Sequence, residues 1–573
     1  MKLPKESRLT FGFLVAILAF APSSLSAETL DVMKKELDRA FEALQVEEEP
    51  PYYISYEITE DAVASVSGGF GEINSENHTM TRYLDIDLRV GDYSLDNTHP
   101  IGNSGFGGFL SRGGPTMIGV EHDESLRTTL WYRTDAAYKQ AIAQYKNVKS
   151  EIQSRVEADD KSGDFSEAPA SEYSMDSEEL VADTAAWGQK LRQYTKPFAQ
   201  AEFIQSNAAN ITGDVETRWF VNTDGSKIKM SRPLYRMVVQ ATAKADDGMV
   251  LSLVETFEAS SAEQLLDDEK ILTAVNKMID DLEALRVAPL VDPYTGPAIL
   301  SGRATGVFFH EILGHRLEGH RQKNEDEGQT FRKQIGKRLL PETFSVVFDP
   351  SIDRWGEIEL SGTFKYDNEG VAGQRVVAIE KGVLKGFLMS RSPIEGFPAS
   401  NGHGRKNYGN RVVARQSNLI VEVDDPYSPE ELQELLLERV REQGKEFGLY
   451  FDNITGGFTM TGRTMPNAFN VTPVLVYKIH LDGTREIVRG VDLIGTPLTT
   501  FSRVEAAASD YDVFNGMCGA ESGWVPVSAV APSILVSQVE VQKKASSRDI
   551  PPILPSPVQG PIDTSIQLFG GEE

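Results

Sequence analysis

Histidine and glutamate are concentrated in one stretch of eleven residues near the middle of the chain. His310, His315 and His320 are three of the eight histidines in the sequence, and Glu311 and Glu318 lie between them. Neutral imidazoles are strong zinc ligands, and a neighbouring carboxylate can accept the proton of a water molecule that the metal activates. The stretch therefore predicts a zinc site with hydrolytic chemistry.

The spacing of the first two histidines differs from that of the common zinc peptidases. His310 and His315 form H-E-x-x-x-H, one residue longer than H-E-x-x-H. Residues five apart on a regular helix are turned roughly 140° from each other, so an unbroken helix cannot direct both imidazoles to one ion. Gly314 permits the helix to end or bulge before His315 and bring it back toward His310. We expect a buried helix that ends at the motif, because the apolar run 304–309 leads into it.

The two glutamates and the third histidine of the motif have different predicted roles. Glu311 directly follows the first histidine, which suits a residue that contacts the metal-activated water and does not bind the metal. Glu318 and His320 are predicted to hold the ligands in place or to act as reserve ligands.

A third ligand is needed, and Cys518 is the candidate. It is the only cysteine in the chain and lies between glycines in Gly516-Met517-Cys518-Gly519, which favours a loop. Thiolate binds zinc well, and a His/His/Cys set leaves one coordination position open for water. A lone cysteine is most often a small buried apolar residue, and this alternative stays open.

A second candidate site is the glycine-rich segment 401–406, Asn-Gly-His-Gly-Arg-Lys. It places His403 and Arg405 among glycines, as a loop that approaches a substrate closely would do. We interpret the two residues as candidates for substrate binding, with a plain surface turn as the alternative.

The beginning of the sequence has the pattern of a secretory signal peptide over residues 1–27. Three basic residues precede the apolar run Phe11–Phe20, and the small-residue pattern Leu25-Ser26-Ala27 follows. This predicts an exported protein, periplasmic or secreted, with an uncleaved anchor as the alternative. No later stretch approaches 18 continuous apolar residues, so we expect no membrane span in the mature chain.

Charge, cysteine content and length limit the kinds of protein that this chain can be. The formal net charge of −28 disfavours binding to nucleic-acid phosphates. A single cysteine cannot form an intramolecular disulfide, so stability must come from packed cores. A chain of 573 residues has room for two or three domains.

Apolar periodicity predicts an α+β fold. Residues 28–290 contain long helical patterns and alternating strand patterns, which indicate an N-terminal α/β domain with an antiparallel sheet. Within it, a glycine-rich loop over 102–114 lacks a phosphate-binding motif, and the acidic segment 158–179 is predicted to be an exposed connection.

Residues 291–545 are predicted to form a β-rich domain that carries the metal-site helix. Short strand patterns and glycine turns dominate, with one further helix over 429–443. Residues 546–573 are proline-rich and predict a poorly packed tail.

The sequence resembles the TldD/PmbA family of metallopeptidases, once described as modulators of DNA gyrase. The resemblance rests on five blocks in order: His310-Glu311-x-x-Gly314-His315-x-Leu317-Glu318-Gly319, Asp367-Asn368-Glu369-Gly370-Val371-x-Gly373, Asn401-Gly402-His403-Gly404-Arg405, Gly490-x-x-Leu493-Ile494-Gly495, and Cys518-Gly519 followed by Val525-Pro526-Val527. It spans most of the mature chain and is strongest over residues 303–542.

The resemblance implies zinc bound by His310, His315 and Cys518, with Glu311 as general base and acid. It also implies dimers, either homodimers or heterodimers with a PmbA-type subunit, that enclose the site in a cavity admitting only unfolded chain. PmbA-type subunits lack the intact motif, so this chain looks like the TldD-type subunit. It departs from the family at His320, where an aspartate is usual, and in its signal peptide, since well-known members are cytosolic.

The residues and the resemblance together predict zinc-dependent hydrolysis of flexible or unfolded peptides by an exported protein. One alternative is a non-catalytic exported binding or assembly subunit with a structural zinc, which a fourth protein ligand such as Glu318 or His320 would favour. Another is hydrolysis of a non-peptide amide or ester.

Overall fold

The computed structural model describes most of the chain, namely residues 28–100, 115–119, 122–153, 160–323, 327–459, 461 and 469–544. The predicted signal peptide, the glycine-rich loop 102–114 and the proline-rich tail 546–573 lie outside these residues. Within the described ranges, no helix is both long enough and apolar enough to cross a membrane.

The first half of the described chain is built on one seven-stranded sheet. Its strands are β1 (Pro51–Gly69), β2 (Glu72–Val90), β3 (Thr116–Met117), β4 (Glu172–Ser174), β5 (Ile204–Asn222), β6 (Lys227–Lys244) and β7 (Val250–Ala259). The order is β3-β2-β1-β5-β6, with β4 and β7 also pairing with β6. All pairs are antiparallel except β4 with β6, so the predicted antiparallel sheet is confirmed.

Helices cover one face of this sheet. They are α1 (Glu28–Leu44), α2 (Asp123–Ile152), α3 (Thr184–Gln200), α4 (Ala262–Leu265) and α5 (Asp268–Val287). The sheet residues that pack against them share one parity along each strand: Ile54, Tyr56, Ile58, Ala64 and Val66 of β1 all belong to the helix-facing cores. Since side chains alternate along a strand, the opposite face is left for the second half of the chain.

The second half is rich in short strands. They are β8 (Tyr294–Leu300), β9 (Phe344–Phe348), β10 (Arg354–Trp355), β11 (Ile358–Glu359), β12 (Val376–Glu380), β13 (Val383–Leu384), β14 (Gly404–Arg405), β15 (Val413–Ala414), β16 (Asn418–Val423), β17 (Phe447–Thr459), β18 (Phe469–His480), β19 (Arg485–Val488), β20 (Val491–Gly495), β21 (Val504–Ala507), β22 (Asp512–Ala520), β23 (Gly523–Ala531) and β24 (Ile534–Lys543). The helices are α6 (Gly302–Ile312), α7 (His320–Lys323), α8 (Pro429–Glu442) and α9 (Pro497–Phe501), with 3-10 turns at Gly314–Leu317 and Arg332–Gln334.

Two larger sheets organise these strands. One has the order β13-β12-β9-β16-β23-β22, and β16 runs parallel to β23. The other has the order β17-β8-β24-β20-β18-β19, with β21 on β24, and the additional pairing of β17 with β18 closes five of its strands into a ring. The predicted β-rich C-terminal half and the α+β class are confirmed.

Helix α6 packs between these sheets and is buried along almost its whole length. It approaches β23 closely, because a Cβ atom on Gly302 would lie 2.6 Å from the Ala531 carbonyl oxygen and one on Gly306 would lie 3.2 Å from Ala529 Cβ. The Ser301 side chain caps the helix by accepting from the Ala304 N–H. The helix that leads into the histidine motif is therefore held rigidly in the core.

A buried ion network joins the free face of the first sheet to the second half. Lys406 Nζ lies 2.9 Å from Glu57 Oε1, and Arg218 Nη1 donates to Glu57 Oε2 at 3.3 Å. Arg218 Nη2 also donates to the Asp367 carbonyl oxygen at 2.8 Å. The two halves are thus connected through paired charges as well as apolar contacts.

The acidic connection predicted to be exposed is partly buried. Of its described residues, Asp164, Phe165 and Ser166 are all less than a tenth exposed. Lys323 Nζ donates to the Gly163 carbonyl oxygen at 2.6 Å, and Arg391 Nε donates to that of Ser166 at 2.8 Å. The prediction was wrong for these three residues, because Lys323 and Arg391 of the second half donate to the backbone of this polar segment, whereas residues 167–179 are exposed or partly exposed as predicted.

Candidate metal centre

The histidine motif lies where helix α6 ends. The helix stops at Ile312, Leu313 caps it, and a 3-10 turn starts at Gly314, so the predicted helix end is confirmed. Gly314 is needed for a different reason from the one expected. A Cβ atom there would lie 1.8 Å from Gln416 Oε1, so the position requires glycine to make room for a buried amide.

The turn brings His310 and His315 together with Cys518. One ligand atom from each of the three residues lies within 4.8 Å of the others, and all three side chains are buried. The imidazole rings are 5.0 Å apart at an angle of 75°, and His315 Nε2 lies 3.4 Å from Cys518 Sγ. The long-range contact expected from the sequence is present.

Cys518 lies on a strand and not in the loop that its glycine neighbours suggested. It belongs to β22, faces Val525 of β23 across a hairpin, and is 4% exposed. The glycines leave room for aromatic rings, since a Cβ atom on Gly519 would lie 3.0 Å from the Trp524 indole and one on Gly516 would lie 2.8 Å from the Phe514 ring. The hairpin is a more rigid support for a metal ligand than a loop.

The charges of the cluster favour a thiolate. Burial alone would raise the pKa of the Cys518 thiol, but the nearby His315, His310 and Arg415 hold that pKa well below its usual value. Burial would likewise lower the pKa of His315, yet Cys518 and Glu318 hold it well above the usual value. Thiolate is the form of cysteine that binds metal.

Glu318 supports His315 from the side away from Cys518. Its carboxylate is fully buried and lies 3.4 Å from His315 Nδ1, while Arg321 Nε donates to it at 2.8 Å. Burial would raise the pKa of Glu318, but His315 and the two arginines Arg321 and Arg415 lower it to about 2. A carboxylate on the outer nitrogen of a metal-binding histidine fixes its orientation.

His320 does not join the cluster. Its Nε2 pairs with Glu521, which also accepts from Arg321 Nη2 at 2.8 Å. Glu521 follows β22, so the contact ties the histidine segment to the hairpin that carries Cys518. His320 thus braces the centre, and among the described residues no carboxylate or further histidine adds a fourth ligand atom.

Glu311 is the most accessible residue of the motif's first half. It is partly exposed, whereas its neighbours His310 and Ile312 are buried. Within the described part of the chain, no hydrogen bond or ion pair engages its carboxylate. That carboxylate is therefore accessible to a bound molecule.

His403 and Arg405 lie behind the centre and not on an open surface. His403 is fully buried and shares a 3.0 Å hydrogen bond with Ser417 Oγ through Nε2, and burial lowers its pKa to about 3. Arg405 is 7% exposed, stacks 4.7 Å above the Phe364 ring and donates to the Gln416 carbonyl oxygen at 2.5 Å. Both side chains are thus buried among protein partners, and their role in substrate binding stays a prediction.

The segment Arg415–Asn418, which packs against the site, was not predicted from the sequence. All four residues are polar and 0% exposed. Gln416 Nε2 donates to the His310 carbonyl oxygen at 3.2 Å, and Asn418 Nδ2 donates to that of Asp349 at 3.0 Å. The available signal was a polar run directly before the apolar strand residues Leu419–Val421, since burying such a run is costly unless each group has a partner.

A buried carboxyl pair lies at the junction of the two halves, in the block Asp367–Val371. Asp367 accepts from the Gly404 N–H at 2.9 Å, and Glu369 accepts from the Arg391 N–H at 2.6 Å. Burial raises the pKa of both carboxyl groups, and the charge of Asp367 raises that of Glu369 further. The pair therefore holds a proton more readily than two separate exposed carboxyl groups would.

The donor set fits zinc. Two imidazoles and a thiolate are preferred ligands of this ion, and tetrahedral bonds of about 2.0–2.3 Å place ligand atoms about 3.4–3.6 Å apart. The 3.4 Å between His315 Nε2 and Cys518 Sγ lies in that range. His310 Nδ1 is buried without a hydrogen-bond partner among the described residues, so no competing contact engages this nitrogen.

Comparison with known proteins supports this interpretation. Residues 293–543 match the family model of the PmbA/TldA metallopeptidase C-terminal domain. A metalloprotease of Methanocaldococcus jannaschii is 27% identical over 327 residues, which cover 57% of this chain and 67% of that protein. The zinc metalloprotease TldD homolog of Saccharolobus solfataricus is 27% identical over 247 residues, 43% of this chain and about half (51%) of that protein.

Two solved structures share the fold. The Thermotoga maritima protein named as a modulator of a DNA gyrase aligns with a TM-score of 0.59 at 15% identity, covering 89% of this chain and 99% of its own. TldE from Thermococcus kodakarensis aligns with a TM-score of 0.58 at 14% identity, covering 89% of this chain and 100% of its own. The family model over residues 293–543, the sequence relatives and the shared fold all support a relation of this chain to the TldD/PmbA family.

Proposed function

We propose that this protein is an exported zinc metallopeptidase that cleaves flexible or unfolded peptides. The observation that carries the proposal is the buried triangle of His310, His315 and Cys518, with ligand atoms within 4.8 Å of one another. Three protein ligands and an open fourth position are typical of catalytic zinc sites, whereas structural sites are closed by four.

The chain's own residues supply the remaining chemistry. Bound zinc would polarise the scissile carbonyl and activate a water molecule. Glu311 would take the proton of that water and return it to the leaving amine nitrogen, which its partly exposed carboxylate permits. Glu318 keeps the His315 ring oriented, since it holds Nδ1 while Nε2 faces Cys518.

The relatives support the reaction class. Two of them carry the names metalloprotease and zinc metalloprotease TldD homolog, and one structural neighbour is a TldE protein. We infer that the protein works as a dimer, either with itself or with a PmbA-type subunit, and acts on peptide chains that lack folded structure.

The alternative of a structural zinc in a non-catalytic subunit has less support. It needs a fourth protein ligand, and the two candidates are engaged elsewhere: Glu318 with Arg321 and His320 with Glu521.

The substitution Glu311→Gln tests the proposal. We expect the variant to keep its zinc but to lose about 10²–10⁴-fold in the cleavage of fluorescein-labelled casein. Glu434→Gln on the exposed side of α8 is the control and should keep full activity. Cleavage at the original rate by a zinc-loaded Glu311→Gln variant would exclude the assigned role, and a zinc-loaded wild type that cleaves nothing would favour the structural alternative.

Export is tested separately. Fractionation of expressing cells and mass measurement of the protein should find a mature chain that begins near Glu28. An intact Met1 in the cytoplasmic fraction would refute the signal-peptide interpretation.

A further inference from the structure

Arg415 is one of the most deeply buried charged residues of the described chain, with a relative exposure of 0%. It lies between β15 and β16 and extends toward the tip of the β22–β23 hairpin. A buried guanidinium is costly unless its donors find acceptors. Its contacts therefore show which acceptors compensate for the burial of its charge.

Arg415 holds the hairpin on both sides of its turn. Nη1 donates to Ser522 Oγ at 2.8 Å and to the Gly523 carbonyl oxygen at 2.9 Å. Nη2 donates to the Cys518 carbonyl oxygen at 2.6 Å and, at 3.2 Å, to Cys518 Sγ itself. Three of these contacts are with oxygen atoms of the hairpin, and the fourth is with the sulfur that is the candidate metal ligand.

The same guanidinium also reaches the histidine segment. Arg415 Nε lies 3.4 Å from Glu318 Oε1, and the Glu318 carboxylate lies 3.4 Å from His315 Nδ1. Arg415 and Glu318 thus connect the sulfur of Cys518 to the imidazole of His315, and the step between Arg415 and Glu318 is an ion pair without hydrogen-bond geometry. These two ligands come from elements some two hundred residues apart in sequence.

We propose that Arg415 is a positioning residue that sets the separation of Cys518 Sγ and His315 and thereby the affinity of the site for zinc. This inference rests on the metal site of the proposed function but not on its hydrolytic activity. Outer partners of metal ligands typically change metal affinity or activity by about 10- to 100-fold.

The test compares full-length wild type with Arg415→Gln and Arg415→Lys. Zinc affinity is measured by competition with a chromophoric chelator, and cobalt(II) is used as a spectroscopic probe of the sulfur ligand. We expect Arg415→Gln to bind zinc about 10- to 100-fold more weakly and to shift the sulfur-to-cobalt charge-transfer band. Arg415→Lys should recover part of the affinity, because one ammonium keeps the charge but cannot contact the sulfur and the turn together.

Arg391→Gln is the matched control. Arg391 is equally buried, but its contacts are with Ser166 and Asp224, away from the cluster. Both glutamine variants should melt at lower temperature without metal, whereas only Arg415→Gln should alter zinc affinity and the cobalt spectrum. This separates a positioning role from general stabilisation.

The proposal is overturned if Arg415→Gln keeps wild-type zinc affinity and the wild-type cobalt band, or if Arg391→Gln changes both equally. Should Arg415→Gln fail to fold, Arg415→Lys and Glu318→Gln decide: weaker zinc binding in both supports the connection, and unchanged binding in both refutes it. A wild type that binds zinc in an Arg415-dependent way but cleaves no peptide would refute the proposed function and leave this inference standing.

Discussion

The substitution Gly314→Ala is the sharpest test of how the motif is built. The new Cβ atom would lie 1.8 Å from Gln416 Oε1 and 2.7 Å from Gln416 Nε2. A normal non-bonded separation is about 3.5 Å, so the amide must move by about 1.5 Å or more. Such a movement breaks the 3.2 Å hydrogen bond from Gln416 Nε2 to the His310 carbonyl oxygen.

The expected cost follows from these contacts. Overpacking of a rigid core costs about 1–3 kcal/mol, and loss of the hydrogen bond adds about 0.5–1.5 kcal/mol. The reduced freedom of alanine in the unfolded chain offsets about 0.4–1 kcal/mol. We therefore expect Gly314→Ala to lower the free energy of unfolding by about 2 kcal/mol and to weaken zinc binding, because His310 loses its anchor.

A double-mutant cycle in chemical denaturation measures the contact directly. Gln416→Ala removes the obstructing amide, so the double variant should be more stable than the two single effects predict, by about 1 kcal/mol or more. Gly119→Ala is the control, since a Cβ atom there meets nothing within 4 Å. Strict additivity of the two substitutions, or a Gly314→Ala variant as stable as the control, would contradict the close-packing explanation.

Three further predictions concern neighbouring groups. Cys518→Ser should purify with far less than one zinc per chain by elemental analysis, and unchanged zinc would remove Cys518 from the site. His403→Ala should lower the thermal midpoint through a cavity and an unpaired Ser417, at a cost of about 2–4 kcal/mol, while KM for peptide stays constant; a raised KM at normal stability would support the substrate-binding role. Burial and the charge of Asp367 raise the folded-state pKa of Glu369 above its value in an unfolded chain, so the contribution of this carboxyl group to stability is present at low pH and is lost as pH rises. Glu369→Gln should therefore match wild type near pH 4 and become increasingly more stable than it toward about pH 8 in denaturant titrations, and an equal difference at both pH values would refute the assignment.

Local features of the fold could be predicted from the sequence. The end of α6 at the histidine motif and helix α8 both follow from nearby residues. In α8, Ser428 and Glu431 form a complete capping box, which explains why that helix begins as expected. Such signals act within a few residues of one another and need no tertiary partner.

Long-range partners could not be predicted in the same way. Strand β1 continues through the polar residue Glu60, because Glu60 pairs at 2.5 Å with Arg82 on β2. The burial of Arg415 likewise depends on a hairpin about a hundred residues later. The apolar pattern of the sequence predicts that such polar residues are exposed. Their burial becomes favourable only when a partner distant in sequence pairs with them.

The position of Cys518 has a consequence for the order of events during synthesis. Both histidines are made some two hundred residues before the cysteine, and strand β23, which holds the cysteine hairpin in its sheet, pairs in parallel with β16. A growing chain therefore has two imidazoles and no thiolate until residues 512–531 emerge and pair. For the proposed peptidase, this order would leave the metal site incomplete while the protein's own backbone is still unfolded.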